Sequence, residues 1–140
     1  MGYPAMASEI AMLAARDTTS PLDALEPVTD AAEIRKLIAI ASGVHTAPSV
    51  QRYAVALTTA TRVSPELRLG ASPRATLHLV RAAKASAAMV GRDYVVPDDL
   101  VALAPAVLAH RLLPTIEATM SGRGAPEILA DVLASVPVPD

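Results

Sequence analysis

The sequence predicts an all-α fold, a bundle of about four main helices with short accessory ones. Three observations carry that prediction. Aromatic residues make up 2% of the 140, with no Trp and no Phe. The core must therefore be built from Leu, Ile, Val, Ala and Met, a set that suits closely packed small-residue helices better than a β-sandwich. Hydrophobic residues reach 52% against 19% charged, enough for one folded domain with one core. The prolines, finally, divide the chain into segments of helical length and helical periodicity.

Each element can be justified in order. Residues 4–16 read as a short helix, with Pro4 where a first turn tolerates it and Met6, Ile10 and Leu13 at helical spacing. "TTSPLDALEPVTD" breaks it. Thr29 or Asp30 caps a second helix and Glu33 is placed to complete the capping box. Ile34, Leu37, Ile38 and Ala41 form its apolar stripe, and Gly43 stops it. Pro48 and Ser49 open a third helix, with Val50, Ala54, Leu57 and Thr61 on one face and Ser64-Pro65 at its end. The connection "ELRLGA" carries a glycine suited to a turn.

A fourth helix, about 72–91, takes Ser72 as N-cap and Pro73 as first residue, and Leu77, Val80, Ala83, Ala87 and Val90 are expected on its buried face. At most a token strand is expected, at Leu67 to Leu69 or at Tyr94 to Val96. Pro97-Asp98-Asp99 starts a fifth helix with acids at its positive end, and Pro105 is expected to restart it as a second segment through His110. "MSGRGA" reads as a flexible loop. "PEILADVLASV" reads as a last amphipathic helix, whose Ile128, Leu129, Val132, Leu133 and Val136 need a partner surface. Residues 1–140 are thus expected to form one domain, with a main bundle over 30–110 and an accessory helix over 125–136 packed across it.

Most chemistry is excluded by what the chain lacks. A formal net charge of −2 gives no general attraction to nucleic acid or anionic lipid. Without cysteine there is no disulfide, thiolate nucleophile or cysteine metal site, in keeping with a reducing compartment. No signal peptide or membrane-length apolar stretch is visible, so a cytoplasmic location is expected, with no membrane partner. His45, His78 and His110 stand on three separate elements and read as surface or packing histidines. Asp98 and Asp99, adjacent on a helix, point about 100° apart and read as helix-start acids. There is no Gly-rich phosphate loop or dinucleotide fingerprint. An independent enzyme is not expected.

Arg74 is the exception that asks for a purpose. An arginine in the first turn of a helix opposes the macrodipole and gains by facing an anion. Helical spacing places Arg74, His78 and Arg81 on one side, and a guanidinium presents a fork of donors suited to phosphate. Local physics alone leaves a solvated polar face open as the plainer explanation.

The surrounding residues carry a resemblance. "LGASPRA" at 69–75, followed by "LVRAAKASAAMVGRDYVVPDDLVALAPAVLAHRL" at 79–112, is similar to the C-terminal lid domain of MoxR-family AAA+ ATPases. "GYP" at 2–4 resembles the hinge where the family's nucleotide-binding core passes to the lid, "SPLDALEPV" at 20–28 nearly reproduces a family segment, and "SVPVP" at 135–139 resembles the family terminus. The resemblance covers essentially the whole chain. It implies that Arg74 is the sensor-2 arginine, which reaches onto the terminal phosphate of ATP, with Ser72 and Pro73 beside it. Gly2, Tyr3 and Pro4 would lie near the adenine and the hinge, with residues 1–4 a remnant of the link to the core.

It further implies Mg and ATP as cofactors of an intact ATPase, with none bound to this segment alone, because the core's catalytic motifs are not in this sequence. Partners implied are the chain's own N-terminal AAA+ core, neighbouring subunits of a hexameric ring, and von Willebrand A-domain proteins, in chaperone-like remodelling or cofactor insertion. The rival reading is a freestanding helical adaptor or DNA-binding module in which Arg74, Arg81 and Lys84 line a recognition helix. The acids at Asp93, Asp98 and Asp99 oppose it.

Overall fold

The computed structural model describes residues 4–15 and 25–139. Gly2 and Tyr3, named above as hinge residues, lie outside them, as does most of "TTSPLDALEPVTD". The chain divides into two compact units between Ile34 and Arg35, a boundary that no sequence feature marks.

In the first unit, α1 spans Met6–Ala14, with Ala5 as N-cap. Its cap is backbone only: the Ala5 carbonyl accepts from Ser8 and Glu9 N–H at 2.8 and 3.2 Å. Pro4 therefore precedes the cap and does not sit in the first turn. None of α1 is buried, which leaves the Ile10 and Leu13 side chains in solvent. The start of α2 (Ala31–Gly43) belongs to this unit as well. Asp30 Oδ1 accepts from the Ala32 and Glu33 amides at 2.7 and 2.8 Å, while Thr29 donates its hydroxyl to Glu33 at 2.8 Å. Asp30 thus takes the amides and Thr29 braces the acid.

The second unit is a helical bundle around one core. Helix α3 spans Pro48–Val63 and buries Val50, Tyr53, Ala54, Leu57, Thr58 and Thr61, which includes every residue of the predicted face. Helix α4 spans Pro73–Met89 and α5 spans Pro97–Leu108. They form the most extensive helix pair. Ala75, Leu79, Ala83 and Ala87 on α4 and Leu100, Ala104 and Leu108 on α5 are all fully or nearly fully buried. Each set is a row at i, i+4, i+8, the arrangement in which ridges of one helix settle into grooves of another. The small Ala side chains let the backbones come close.

This row corrects the predicted face of α4. Ala83 and Ala87 are buried as expected and Val80 packs partly buried against the core, but Leu77 is 60% exposed and Val90 66%, because the row that points fully inward runs through Ala75 and Leu79. Helix α4 ends at Gly91, whose φ of 75° suits the left-handed cap. Arg92 N–H reaches Ala87 O at 2.9 Å and Gly91 N–H reaches Ala88 O at 3.0 Å.

Pro105 does not divide α5. The helix runs unbroken to Leu108 and passes into a 3-10 turn, Ala109–Arg111. Pro105 is exposed, so its ring meets solvent and only one backbone bond is lost, while the buried row continues on both sides of it. Strand β1 (Leu67–Leu69) pairs antiparallel with β2 (Leu113–Pro114), a partner too short to show as a sequence pattern. A bridge between His45 and Tyr94 closes the other end, with His45 N–H to Asp93 O at 2.7 Å and Val95 N–H to His45 O at 2.9 Å.

The final helices differ most from expectation. Helix α6 (Ile116–Met120) leads into the "MSGRGA" stretch, where Arg123 bonds both Glu66 and Asp131 and so ties that stretch to the β1 turn and to α7. Helix α7 (Ala125–Ser135) buries Ile128 and Leu129 to 1% exposure against α3 and α5. It takes the fourth place in the core that the α2 stripe was expected to fill. Leu37 and Ile38 of α2 are 58% and 60% exposed, and α2 buries none of its residues.

Candidate functional site

The site is built where the chain leaves β1 and enters α4. Gly70 crosses the end of α3 so closely that a Cβ there would stand 2.6 Å from the backbone of Thr61 and Arg62. The glycine is needed for this approach rather than for a turn conformation. Ala71 follows, fully buried, and both its peptide groups are held by α3. Thr61 Oγ1 accepts its N–H at 2.9 Å, and Arg62 Nε donates to its carbonyl at 2.7 Å. Thr61 in turn gives its hydroxyl proton to Thr58 O at 2.6 Å.

One turn back, Thr58 Oγ1 lies 2.8 Å from Thr76 Oγ1. Thr58 Oγ1 also lies 3.2 and 3.1 Å from the Ala54 and Val55 carbonyls; a hydroxyl has one proton, so with Thr76 donating to Thr58 the Thr58 proton is left for a carbonyl. The last two turns of α3 therefore hold α4 on both sides of its first turn.

Arg74 projects from that turn. It is exposed and forms no hydrogen bond or ion pair with another described residue. Ser72 occupies the N-cap position, yet its side chain makes no capping bond. The cap is again backbone, with Ser72 O accepting from Ala75 N–H at 2.9 Å and Thr76 N–H at 3.4 Å. Pro73 has no N–H. The Arg74 amide is thus the first-turn donor left without an intrahelical acceptor, and it sits on the residue that carries the guanidinium.

The same side of α4 continues into a groove. About 840 Å³ in volume, it lies between the end of α2, the start of α3 and α4, and is lined by His45, Thr46, Gln51, Thr76, Leu77, Arg81 and Lys84 among others. Thr46 Oγ1 is buried without a hydrogen-bond partner. Of the cations, Lys84 is committed, its Nζ bonding Ser42 O at 3.0 Å. His78 faces Arg111, with Nδ1 3.3 Å from Nη2. Arg74 and Arg81 stay open to solvent on one helix face.

Asp99 is a structural acid, as its position predicted. Arg92 bonds it through both guanidinium Nη atoms at 2.9 and 2.6 Å, and the Val96 amide reaches it at 2.9 Å. The Arg92 bonds hold its carboxyl below the usual range, partial burial opposes them, and the Val96 amide adds to the lowering. Arg92 also stands 5.9 Å over the Tyr94 ring. Sequence reading missed this pair, although an arginine seven residues before a helix-start acid was its signal. Burial pushes the Tyr53 phenol up, with Asp98 adding to it.

Comparison with known proteins places this arrangement. Residues 59–132, just over half of the chain, match the AAA lid domain family. The chain is 36% identical over 139 residues to YeaC of Bacillus subtilis, itself uncharacterized, covering 99% of this chain and 43% of that protein. It is 32% identical over 149 residues to the chaperone MoxR1 of Mycobacterium tuberculosis, covering 99% and 39%. A crystal structure of a candidate ATPase from Cytophaga hutchinsonii superposes with a TM-score of 0.75 at 28% identity, over 100% of this chain and 45% of that one. The chain thus spans about two fifths of the length of these curated relatives. With residues 59–132 matched, the "GASPR" turn at the head of α4 among them, the chain belongs to the AAA lid domain family, and MoxR proteins stand among its relatives.

Proposed function

We propose that this lid closes over ATP held by an AAA+ core and that Arg74 is its sensor of the terminal phosphate. The observation that carries the reading is the open guanidinium of Arg74, next to an unaccepted amide on the same residue, at the positive end of a helix fixed at its start. Two donors of this kind can meet two oxygens of one phosphoryl group. A fixed cation there stabilises charge that grows on the transferring group and feels its loss after hydrolysis. Release of that contact would free the lid to turn and so pass hydrolysis on to a client.

The residues at hand fit the terminal phosphate only in part. One arginine, one amide and the adjoining groove make an incomplete site, and hydrolysis by the intact subunit needs the core's own groups. Among the described residues no three His, Cys, Asp or Glu groups stand close enough to hold a metal ion.

The wider reading is a cytoplasmic, chaperone-like remodelling or cofactor-inserting ATPase, working as a hexameric ring with von Willebrand A-domain partners. It is supported by the MoxR chaperone among the relatives. Among the described residues no helix is long and apolar enough to cross a membrane. The alternative stripe of Arg74, Arg81 and Lys84 facing DNA draws nothing from Lys84, which is engaged at the end of α2.

The test is nucleotide preference. In the intact subunit, Arg74→Ala should lower affinity for ATP more than for ADP, shifting their ratio by roughly tenfold, the ~1.4 kcal/mol of one charge-assisted bond. An unchanged ratio would contradict a γ-phosphate contact.

A further inference from the structure

We propose that Thr61 and Arg62, at the end of α3, are positioning residues that set where Arg74 meets the phosphate. This inference rests on the reading of Arg74 as a sensor. The geometry behind it is the grip on Ala71. Its N–H goes to Thr61 Oγ1 at 2.9 Å and its carbonyl to Arg62 Nε at 2.7 Å, so both polar groups of the residue three before Arg74 are anchored to α3.

Four features make this more than ordinary packing. Thr61 is fully buried and spends both its donor and its acceptor, the first on Thr58 O and the second on Ala71. A rotation of the Ala71 peptide would leave a buried amide unmet, which is costly. Arg62 is a cation on the exposed surface, yet its Nε is spent on a neutral backbone carbonyl and no acidic side chain pairs with it among the described residues. Gly70 then lets the strand-to-helix link lie flat on α3, where any Cβ would lift it. The Thr58 to Thr76 bond holds the far side of the first turn. With α4 held at Ala71 and Thr76, the Cα of Arg74 between them has little room to move. A sensor needs that, because a displacement of about 1 Å in a positioned group can cost on the order of a hundredfold in rate.

The partition of roles is specific. Thr61 is fully buried and Arg62 Nε is spent on the Ala71 carbonyl, so the proposed action of both runs through Arg74. Arg81, four residues from Leu77 on the groove side, has no such anchor.

The experiment compares Thr61→Val, Thr61→Ser, Arg62→Met and Arg74→Ala in the intact ATPase subunit, alone and with Arg74→Ala added to the first and third. Steady-state hydrolysis gives kcat and KM for ATP, and hydrogen exchange over residues 67–76 reports the Ala71 amide. Thr61→Val and Arg62→Met should each lower kcat at least about threefold at unchanged KM, with faster exchange over that segment. Thr61→Ser keeps the hydroxyl and should restore the rate. In the Arg74→Ala background both losses should vanish.

Arg62→Met alters an exposed side chain, so it reports even if Thr61→Val folds poorly. Wild-type kcat in Thr61→Val and Arg62→Met beside an impaired Arg74→Ala overturns the positioning role and leaves the sensor standing. A loss that persists in full without Arg74 overturns it too, as general damage to the bundle. Wild-type hydrolysis in Arg74→Ala overturns the sensor itself, and the positioning role falls with it.

Discussion

Replacing Gly70 by alanine tests the packing of the site without any nucleotide. The new Cβ would lie 2.6 Å from Arg62 Cα, Arg62 N and Thr61 O, where ordinary contact begins at 3.4 Å. The shortfall of about 0.8 Å (3.4 − 2.6) involves backbone atoms of a helix end, so no side-chain rotation relieves it. The link between β1 and α4 must lift from α3. Overpacking of this kind costs about 1–3 kcal/mol. Stretching the Ala71 bonds to Thr61 and Arg62 adds a buried amide with a weakened partner, about 1–2 kcal/mol. The terms share one movement and together come to about 2–4 kcal/mol.

Gly43→Ala serves as control, because nothing lies within 4 Å of its added Cβ and its backbone is ordinary helix. It should be neutral or stabilise by up to ~1 kcal/mol. Urea unfolding followed by circular dichroism measures both. A Gly70→Ala protein within about 0.5 kcal/mol of wild type would refute the close-approach reasoning.

Further outcomes are expected. Leu79→Ala, at a fully buried site, should cost about 2.5–5 kcal/mol in the same assay, whereas Leu77→Ala, 60% exposed, should stay within about 0.5 kcal/mol; similar losses would return α4 to its predicted face. Asp99→Asn should cost about 1–3 kcal/mol near neutral pH. Its carboxyl is lowered in the fold by Arg92, so that stability is present above the ordinary carboxylate value and lost as pH falls through the lowered one. The gap between wild type and Asp99→Asn should therefore close in acid, and a constant gap would contradict the pairing. Arg123→Ala should raise hydrogen exchange over residues 116–131 by freeing Glu66 and Asp131. The difference should shrink in ~1 M salt, as the three side chains are each more than a third exposed.

How much of this was legible depended on the range of the interaction involved. The prolines and caps act over a few residues, so the starts of α3, α4 and α5 were readable from Pro48, Pro73 and Pro97. Arg74 stood out because its charge opposes its own helix dipole. The inward face of α4 was readable only in part, at Ala83 and Ala87 with Val80 beside them; Ala and Leu recur around that helix, and the inward turn of Ala75 and Leu79 in place of Leu77 and Val90 goes with the α5 row. The exchange of α2 for α7 in the core is equally non-local, because both carry adequate stripes and only tertiary packing selects one. Pro105 misled because a proline costs little on an exposed face late in a helix. Thr61 was placed on the buried face of α3 with no role, and its hydroxyl acquires one only when Ala71, ten residues on, folds back to it.

ATP hydrolysis by the intact subunit, wild type against Arg74→Ala, tests the sensor role most directly when ATP binding and folding are measured alongside. A fall of more than about tenfold in kcat, roughly 1.4 kcal/mol of barrier, with ATP still bound and the subunit folded, is the predicted result. An unchanged rate would contradict it and return Arg74 to a solvated face of α4.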